Sequence, residues 1–365
     1  MDTRPKKVAI VHDWLVGGGA ERVVFALHQM YPEAPIYTSY CTPEWRQRMD
    51  GKVITGWLQH FGKIRKFIPF LRIWWFTHLD LDGYDLVISS SGAEAKGIKV
   101  HEGTKHINYC HAPTHYYWSR YDEYLKHPGF GVFDPIARVG LKLLVGPLRK
   151  WDYVAAQRPN AIAANSTYTK QAIKKYYDRD AKVIFPPIDI ERFKAAAGGT
   201  RHGFVIGGRQ TPYKRVDLAV RACAKLNLPL TVIGNGPDHK RLKTMAGPSI
   251  TFKTGLNDTQ VAEEFKKAEA FIFPNVDDFG VVAVEALSAG TPVIAFKAGG
   301  AFDYVKPGKT GLFFNEQTVE SLCQALEGFP GYHFSHDEIA KSAEQFSTQE
   351  FKARFNAFVK VQNRS

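Results

Sequence analysis

The sequence predicts an α/β protein built as two doubly wound, Rossmann-like domains, each a parallel sheet with helices on both faces. Three observations predict it: short apolar runs alternate with amphipathic stretches of helical length, the alternation restarts in the second half, and glycine-rich loops follow several apolar runs. Apolar strands joined by helix-length crossovers are the pattern of a parallel sheet covered on both faces.

In the first half "KVAIVH" precedes "GGAERVVFALHQMY", and "YDLVISSS", "HINYCHAP" and "AIAANSTYTKQAIKKYY" continue the alternation. The second half restarts with "GFVIGGR" and runs through "DLAVRACAKLN", "LTVIGNGP", "QVAEEFKKAEAFIFP" and "GVVAVEALSAGTPVIAF". Between them, Pro186 and Pro187 in "VIFPPIDIERF" bar a helix and leave an extended crossing, so the boundary is set at 1–186 and 187–345. In two-domain arrangements of this kind a ligand is expected in the cleft, outside the carboxyl ends of both sets of strands.

Composition narrows the class. The 365 residues, 44% hydrophobic, suffice for two cores. Cys41, Cys110, Cys223 and Cys323 are scattered without a CxxC pair, which argues against a disulfide framework or a zinc knuckle and for a reducing compartment. In "MDTRPKKVAIVHDWL" the short apolar run is interrupted by His12 and Asp13, so neither a signal peptide nor a spanning helix is expected, and a cytoplasmic location is. A net charge of +12 implies an anionic partner: nucleic acid, a membrane surface or phosphate-bearing ligands. In "FGKIRKFIPFLRIWWF", residues 61–76, Lys63, Arg65, Lys66 and Arg72 alternate with Phe67, Phe70, Leu71, Ile73, Trp74, Trp75 and Phe76. Two readings stay open: an element lying among lipid headgroups, or a core helix with a solvated basic rim, interrupted by Pro69.

The loops at the strand ends carry the chemistry. Gly17, Gly18 and Gly19 in "VGGGAERVV" follow a strand and open a helix, where backbone can approach a phosphate. The dinucleotide fingerprint fails, because Arg22 and His239 stand where a third glycine is needed, and a nicotinamide dehydrogenase is demoted. In "GGRQTPYKRVDLAV", Arg209 and Lys214 can reach one anion above the sheet, a planar fork and a movable point charge suited to a diphosphate. In "PNVDDFGVVAVEALSAG", Asp277 sits in a strand's exit loop and Glu285 lies in the following helix among Val281, Val282, Val284, Ala286 and Leu287. A carboxylate in such surroundings needs a strong partner; a ribose diol can supply two hydrogen bonds, and sugar hydroxyls can do the same for Asp277. His101, His106, His111 and His115 invite a metal reading, but Pro113 keeps the last two off one regular helix and no HExxH stretch is present. Asp80 and Asp82 in "DLDGYD" form a DxD pair read as an ordinary loop, and neither a metal nor a cofactor is expected.

These motifs, with "VHDWLVGGGAERV", "YDLVISSSGAEAKGI", "YCHAPTHYYW", "AANSTY" and "DDFGVVAVEALSAGTPVIAFKAGGAFDYVKPGKTGLFF", resemble in content and order the retaining nucleotide-sugar glycosyltransferases of family 4, which have the two-Rossmann GT-B fold. The pattern is similar to the subgroup of bacterial mannosyltransferases of O-antigen and exopolysaccharide assembly. The resemblance implies that Glu285 binds the donor ribose, Asp277 (with Asp278 adjacent) meets the donor sugar, and Arg209 and Lys214 hold the diphosphate. Asp277 stands where the family has a glutamate, shorter by one methylene or roughly 1.5 Å of reach. Gly18 and Gly19 match a loop closing over the phosphates, His111 a histidine near the reaction centre, and Gly299 and Gly300 a turn whose N–H groups approach the sugar; Phe279 and Gly280 belong to the same donor loop. His115 and Asp303 depart from the arginine and glutamate of the subgroup, and residues 252–258 lie where the base is cradled. Residues 346–365 are expected to cross back to the first domain.

The implied donor is GDP-mannose, with UDP-sugars as the alternative. The implied acceptor is a glycan or a sugar on a polyprenyl diphosphate at the inner face of an anionic membrane, where the enzyme is peripheral. No nucleic-acid partner is expected, and oligomeric state stays open. A GT-B nucleotide-sugar epimerase and a non-catalytic polyanion-binding protein are the competing classes.

Overall fold

The computed structural model describes residues 7–67, 69–126, 128, 131–194 and 200–363, and for 63–67 and Val132 the backbone alone. The chain divides into two compact units, Met1–Pro186 with Phe351–Ser365, and Pro187–Glu350.

In the first unit the strands are β1 (Val8–His12), β2 (Ile36–Thr38), β3 (Val53–Thr55), β4 (Leu86–Ser91), β5 (Lys105–Cys110), β6 (Ala161–Ala164) and β7 (Lys182–Val183). They form a parallel sheet in the order β3-β2-β1-β4-β5-β6-β7. In the second unit β8 (Phe204–Gly207), β9 (Leu230–Ile233), β10 (Ile250–Lys253), β11 (Ala270–Phe273), β12 (Val293–Phe296) and β13 (Gly311–Phe314) form a parallel sheet ordered β10-β9-β8-β11-β12-β13. Each sheet grows outward from its first strand and then reverses, so the loops after β1 and β4, and after β8 and β11, diverge and leave a crevice at the switch point.

Burial follows from helices on both faces: every residue of β1, β4 and β11 is buried. Ile10, Val24, Ile36, Ile88 and Ile107 share one core, and Ile206, Val220, Val232, Ile272 and Ile294 the other. The helix Thr348–Gln362 inserts Phe351, Phe355 and Val359 into the first unit's core, and the Phe351 ring stands 5.8 Å edge-on from that of Tyr109.

In the aromatic and basic stretch, Pro69 and Arg72 differ from what either reading expects. Pro69 opens the helix Pro69–Thr77, where its missing N–H costs nothing. Trp75 and Phe76 are buried while Phe70, Leu71 and Trp74 are exposed. Arg72 is not a headgroup-facing cation: it is 4% exposed and donates from Nη2 and Nε to the Glu94 carboxylate at 2.6 and 3.1 Å. A buried carboxylate demands such a partner more strongly than solvent demands the guanidinium. The Lys63, Arg65, Lys66 and Phe67 side chains lie outside the described residues.

Candidate functional site

The second unit gathers most of the expected groups at its switch point. After β8, exposed Arg209 stands on a loop that closes in the short 3₁₀ turn Pro212–Lys214 before the helix Val216–Lys225. Gln210, which sequence reasoning passed over, locks this loop: its buried amide donates to Gly234 O at 2.8 Å and its Oε1 pairs with His239 Nδ1 at 2.7 Å. After β11, Asp277 comes within 2.5 Å of Lys214 Nζ through Oδ2. The two strands are neighbours in space, so residues 63 positions apart become one charge-paired group.

The turn following Asp277 has the shape its glycines permit. Gly280 has φ +94, and a Cβ there would stand 2.5 Å from Tyr304 Oη and 2.7 Å from Phe273 Cζ. Phe279, 2% exposed, packs on Tyr304 and Phe346 with 5.6 Å between ring centroids in each case, so it anchors the loop from beneath. Gly299 and Gly300 approach from the far side: a Cβ on Gly300 would meet Asp278 O and Phe279 Cα at 2.5 Å. Gly300 N–H donates to Asp277 O at 2.9 Å, so it holds the loop where the resemblance assigned it to a ligand. The Tyr304 hydroxyl is buried without a hydrogen-bond partner among the described residues, and burial, then the charges of Asp277 and Asp303, pushes its pKa well above the ordinary value.

Glu285 lies on the helix Val281–Ser288, 5% exposed, and its partner is a protein cation. Arg192 donates from Nη2 to Glu285 Oε1 at 3.2 Å and from Nη1 to the Asp258 carboxylate, with its guanidinium 4.4 Å from the Phe193 ring centroid. Sequence reasoning treated "DIERF" as part of the crossing alone. The missed signal is that an acid among valines requires a cation somewhere in the chain.

In the first unit, Gly17 has φ +104 and Gly18 is extended. The N–H groups of Val16 and Gly17 donate to Glu21 Oε1 at 3.2 and 3.0 Å, so this loop's first donors meet a side chain that sequence reasoning had not weighed. Gly19 starts the helix Gly19–Met30. His111, just past β5, pairs through Nε2 with Ser90 Oγ at 2.8 Å and accepts at its carbonyl from Asn165 Nδ2 at 2.8 Å. His12 Nδ1 lies 2.7 Å from Ser90 O, with its ring edge-on to that of His111 at 6.2 Å.

Beneath them, buried charges fix the turns. Asp13 accepts from the N–H groups of Gly92, Ala93 and Ala95 at 2.8, 3.0 and 2.8 Å; burial, partly offset by His12, leaves its pKa raised. Lys96 lies 2.7 Å from Asp152 Oδ1 and donates to Thr114 Oγ1 at 2.9 Å. Burial opposes the Lys96 charge, but Asp152 outweighs it and the pKa ends above the usual lysine value. Tyr177 and Trp118 also donate to Asp152, each at 2.7 Å.

The four histidines considered as a metal set are placed apart. His106 is buried in β5 against Ser89 Oγ at 2.7 Å, and burial pushes its pKa down to about 3. His115 bonds Ser119, His111 bonds Ser90, and His101 is exposed in a turn. Asp80 Oδ1 accepts from Asp82 N–H within an exposed loop.

Two units, each a parallel sheet that reverses at its first strand, the second with a basic loop beside an acidic one, have the architecture of the GT-B fold. Solved structures show the same architecture: that of Anabaena HepE in complex with UDP-glucose superposes with a TM-score of 0.66 over 98% of this chain and 100% of that one, at 16% identity. The model described as Glycosyltransferase Family 4 matches residues 17–192 and that of Glycosyl transferases group 1 matches residues 187–330. The chain belongs to glycosyltransferase family 4. It is 26% identical over 230 residues to a D-inositol 3-phosphate glycosyltransferase of Streptomyces avermitilis, covering 54% of this chain and 47% of the relative. It is 27% identical over 192 residues to a GDP-mannose-dependent alpha-(1-6)-phosphatidylinositol monomannoside mannosyltransferase of Mycobacterium tuberculosis, covering 44% of this chain and 50% of the relative. The chain thus spans about half the length of these curated relatives.

Proposed function

We propose that the protein is a retaining glycosyltransferase that moves mannose from GDP-mannose to a glycan or a lipid-linked saccharide at an anionic membrane face inside the cell. The observation that carries this reading is the Lys214–Asp277 pair at the switch point of the second sheet, with Arg209 on the same loop and Glu285 one helix away. Cations there suit a diphosphate, and carboxylates suit the hydroxyls on either side of it. The similarity to a GDP-mannose-dependent enzyme supports the donor, while HepE in complex with UDP-glucose supports a UDP-sugar as the second reading.

In the proposed reaction the anomeric carbon's bond to the diphosphate oxygen breaks and its bond to an acceptor hydroxyl forms on the same face. The acceptor proton passes to the departing diphosphate oxygen. Arg209 and Lys214 stabilise the charge growing on that diphosphate. His111 orients the transferred sugar, and no metal or other cofactor is called on. Thermal stabilisation by a panel of nucleotides and nucleotide sugars tests the donor. A preference for GDP-mannose that Glu285→Ala weakens supports the reading; the absence of any nucleotide-dependent shift at saturation overturns it.

A further inference from the structure

The helix Asp134–Gln157 is the longest described, and its outer face is the wrong polarity for water. Ile136, Val139, Leu143 and Val154 are 72%, 58%, 73% and 48% exposed. Their spacings of three, four and eleven residues place them on one stripe. The opposite side meets the unit through Leu148, Asp152, Ala155 and Ala156. Exposed Lys142 and Lys150 accompany the apolar stripe, whereas the helix carries only two acids, Asp134 at its first position and Asp152, buried against Lys96.

A second helix presents a similar face nearby. Pro69–Thr77 exposes Phe70, Leu71 and Trp74, and both helices dock on the turn Glu94–Gly97 through buried ion pairs, Arg72–Glu94 for one and Lys96–Asp152 for the other. Two outward apolar faces are therefore fastened to one four-residue segment.

We propose that the helix Asp134–Gln157 lies on a bilayer containing anionic lipid, with Ile136, Val139 and Leu143 at the acyl-chain boundary and Lys142 and Lys150 on headgroup phosphates. Charge complementarity selects this occupant. An isologous contact with a second copy would set the same lysines against themselves, whereas anionic headgroups neutralise them. Among the described residues no helix is long and apolar enough to cross a membrane, and an apolar stripe bordered by cations is the form of a helix lying in the interface. The proposal rests on the membrane association in the functional reading and assigns it to a surface.

The test is co-flotation of the full chain with phosphatidylcholine vesicles, with and without phosphatidylglycerol, alongside lipid-free nucleotide thermal shifts that report the donor site separately. The wild type is expected to float with the anionic vesicles only, and less so in high salt. Ile136→Gln with Leu143→Gln, and separately Lys142→Gln with Lys150→Gln, are expected to weaken partitioning about tenfold or more while leaving the nucleotide shift intact. Partitioning equal to wild type in both double variants would overturn the assignment to this helix. Absence of vesicle binding by the wild type would overturn the membrane association itself, whatever the nucleotide result. A lipid-free dimer that Ile136→Gln with Leu143→Gln converts to monomer would identify the occupant as a second copy and overturn the proposal.

Discussion

Arg192 places a guanidinium nitrogen 3.2 Å from a carboxylate oxygen of Glu285 and so ties the segment just after the domain crossing to the helix Val281–Ser288. The pair is largely removed from solvent, with 21% and 7% of the two side chains exposed. An acid at this depth is held in one direction by such a contact.

Arg192→Met is expected to weaken binding of the nucleoside diphosphate about tenfold and to lower stability by about 1–3 kcal/mol, the cost of leaving a buried charge short of a partner. In a Glu285→Ala background the same substitution is expected to change nucleotide affinity little. Isothermal titration of the four variants in a double-mutant cycle checks this; additive losses would show that Arg192 acts independently of Glu285.

Lys214 cannot hold Asp277 and a diphosphate with the same N–H groups. Asp277→Asn, by releasing the lysine, is expected to leave nucleoside diphosphate affinity unchanged or tighter while lowering sugar transfer by about 10²-fold or more, the scale of one lost transition-state contact. Comparing diphosphate affinity with turnover of the nucleotide sugar separates these effects.

Gly300→Ala puts a methyl group where Asp278 O and Phe279 Cα stand at 2.5 Å. Backbone cannot yield as a flexible side chain would, so the loop carrying Asp277 must shift. Donor affinity is expected to fall at least tenfold with the protein still folded, as read by titration together with near-ultraviolet circular dichroism.

His106 makes stability depend on acid. Its folded pKa of about 3 lies below the unfolded value near 6.5, so between those limits the unfolded chain binds the extra proton and stability falls as pH falls. The contribution reaches about 2 kcal/mol at pH 5 relative to neutral pH. Denaturant unfolding at several pH values is expected to show a shallower slope in His106→Asn than in wild type, by about one proton.

Lys96→Met strands the Asp152 carboxylate at zero exposure and is expected to cost about 3–5 kcal/mol. Lys96→Met combined with Asp152→Leu removes both charges and is expected to recover part of that loss. Urea midpoints of the wild type and the two variants decide it; equal losses in the single and double variants would place the cost in packing.

The fold class is legible in one dimension, because parallel strands covered on both faces must be apolar throughout and their crossover helices amphipathic. The sequence also marked Arg209, Lys214, Asp277 and Glu285 by residue type and by their places at strand ends. The pairings are set in three dimensions. That Lys214 meets Asp277, that Arg192 answers Glu285 and that Arg72 turns inward to Glu94 all depend on sheet order and on which helix packs on which turn. Apolar periodicity is local and survives in sequence. The partner of a buried charge is whatever group the fold brings within about 3 Å, and with partners 63, 93 or 22 positions away no local pattern names it.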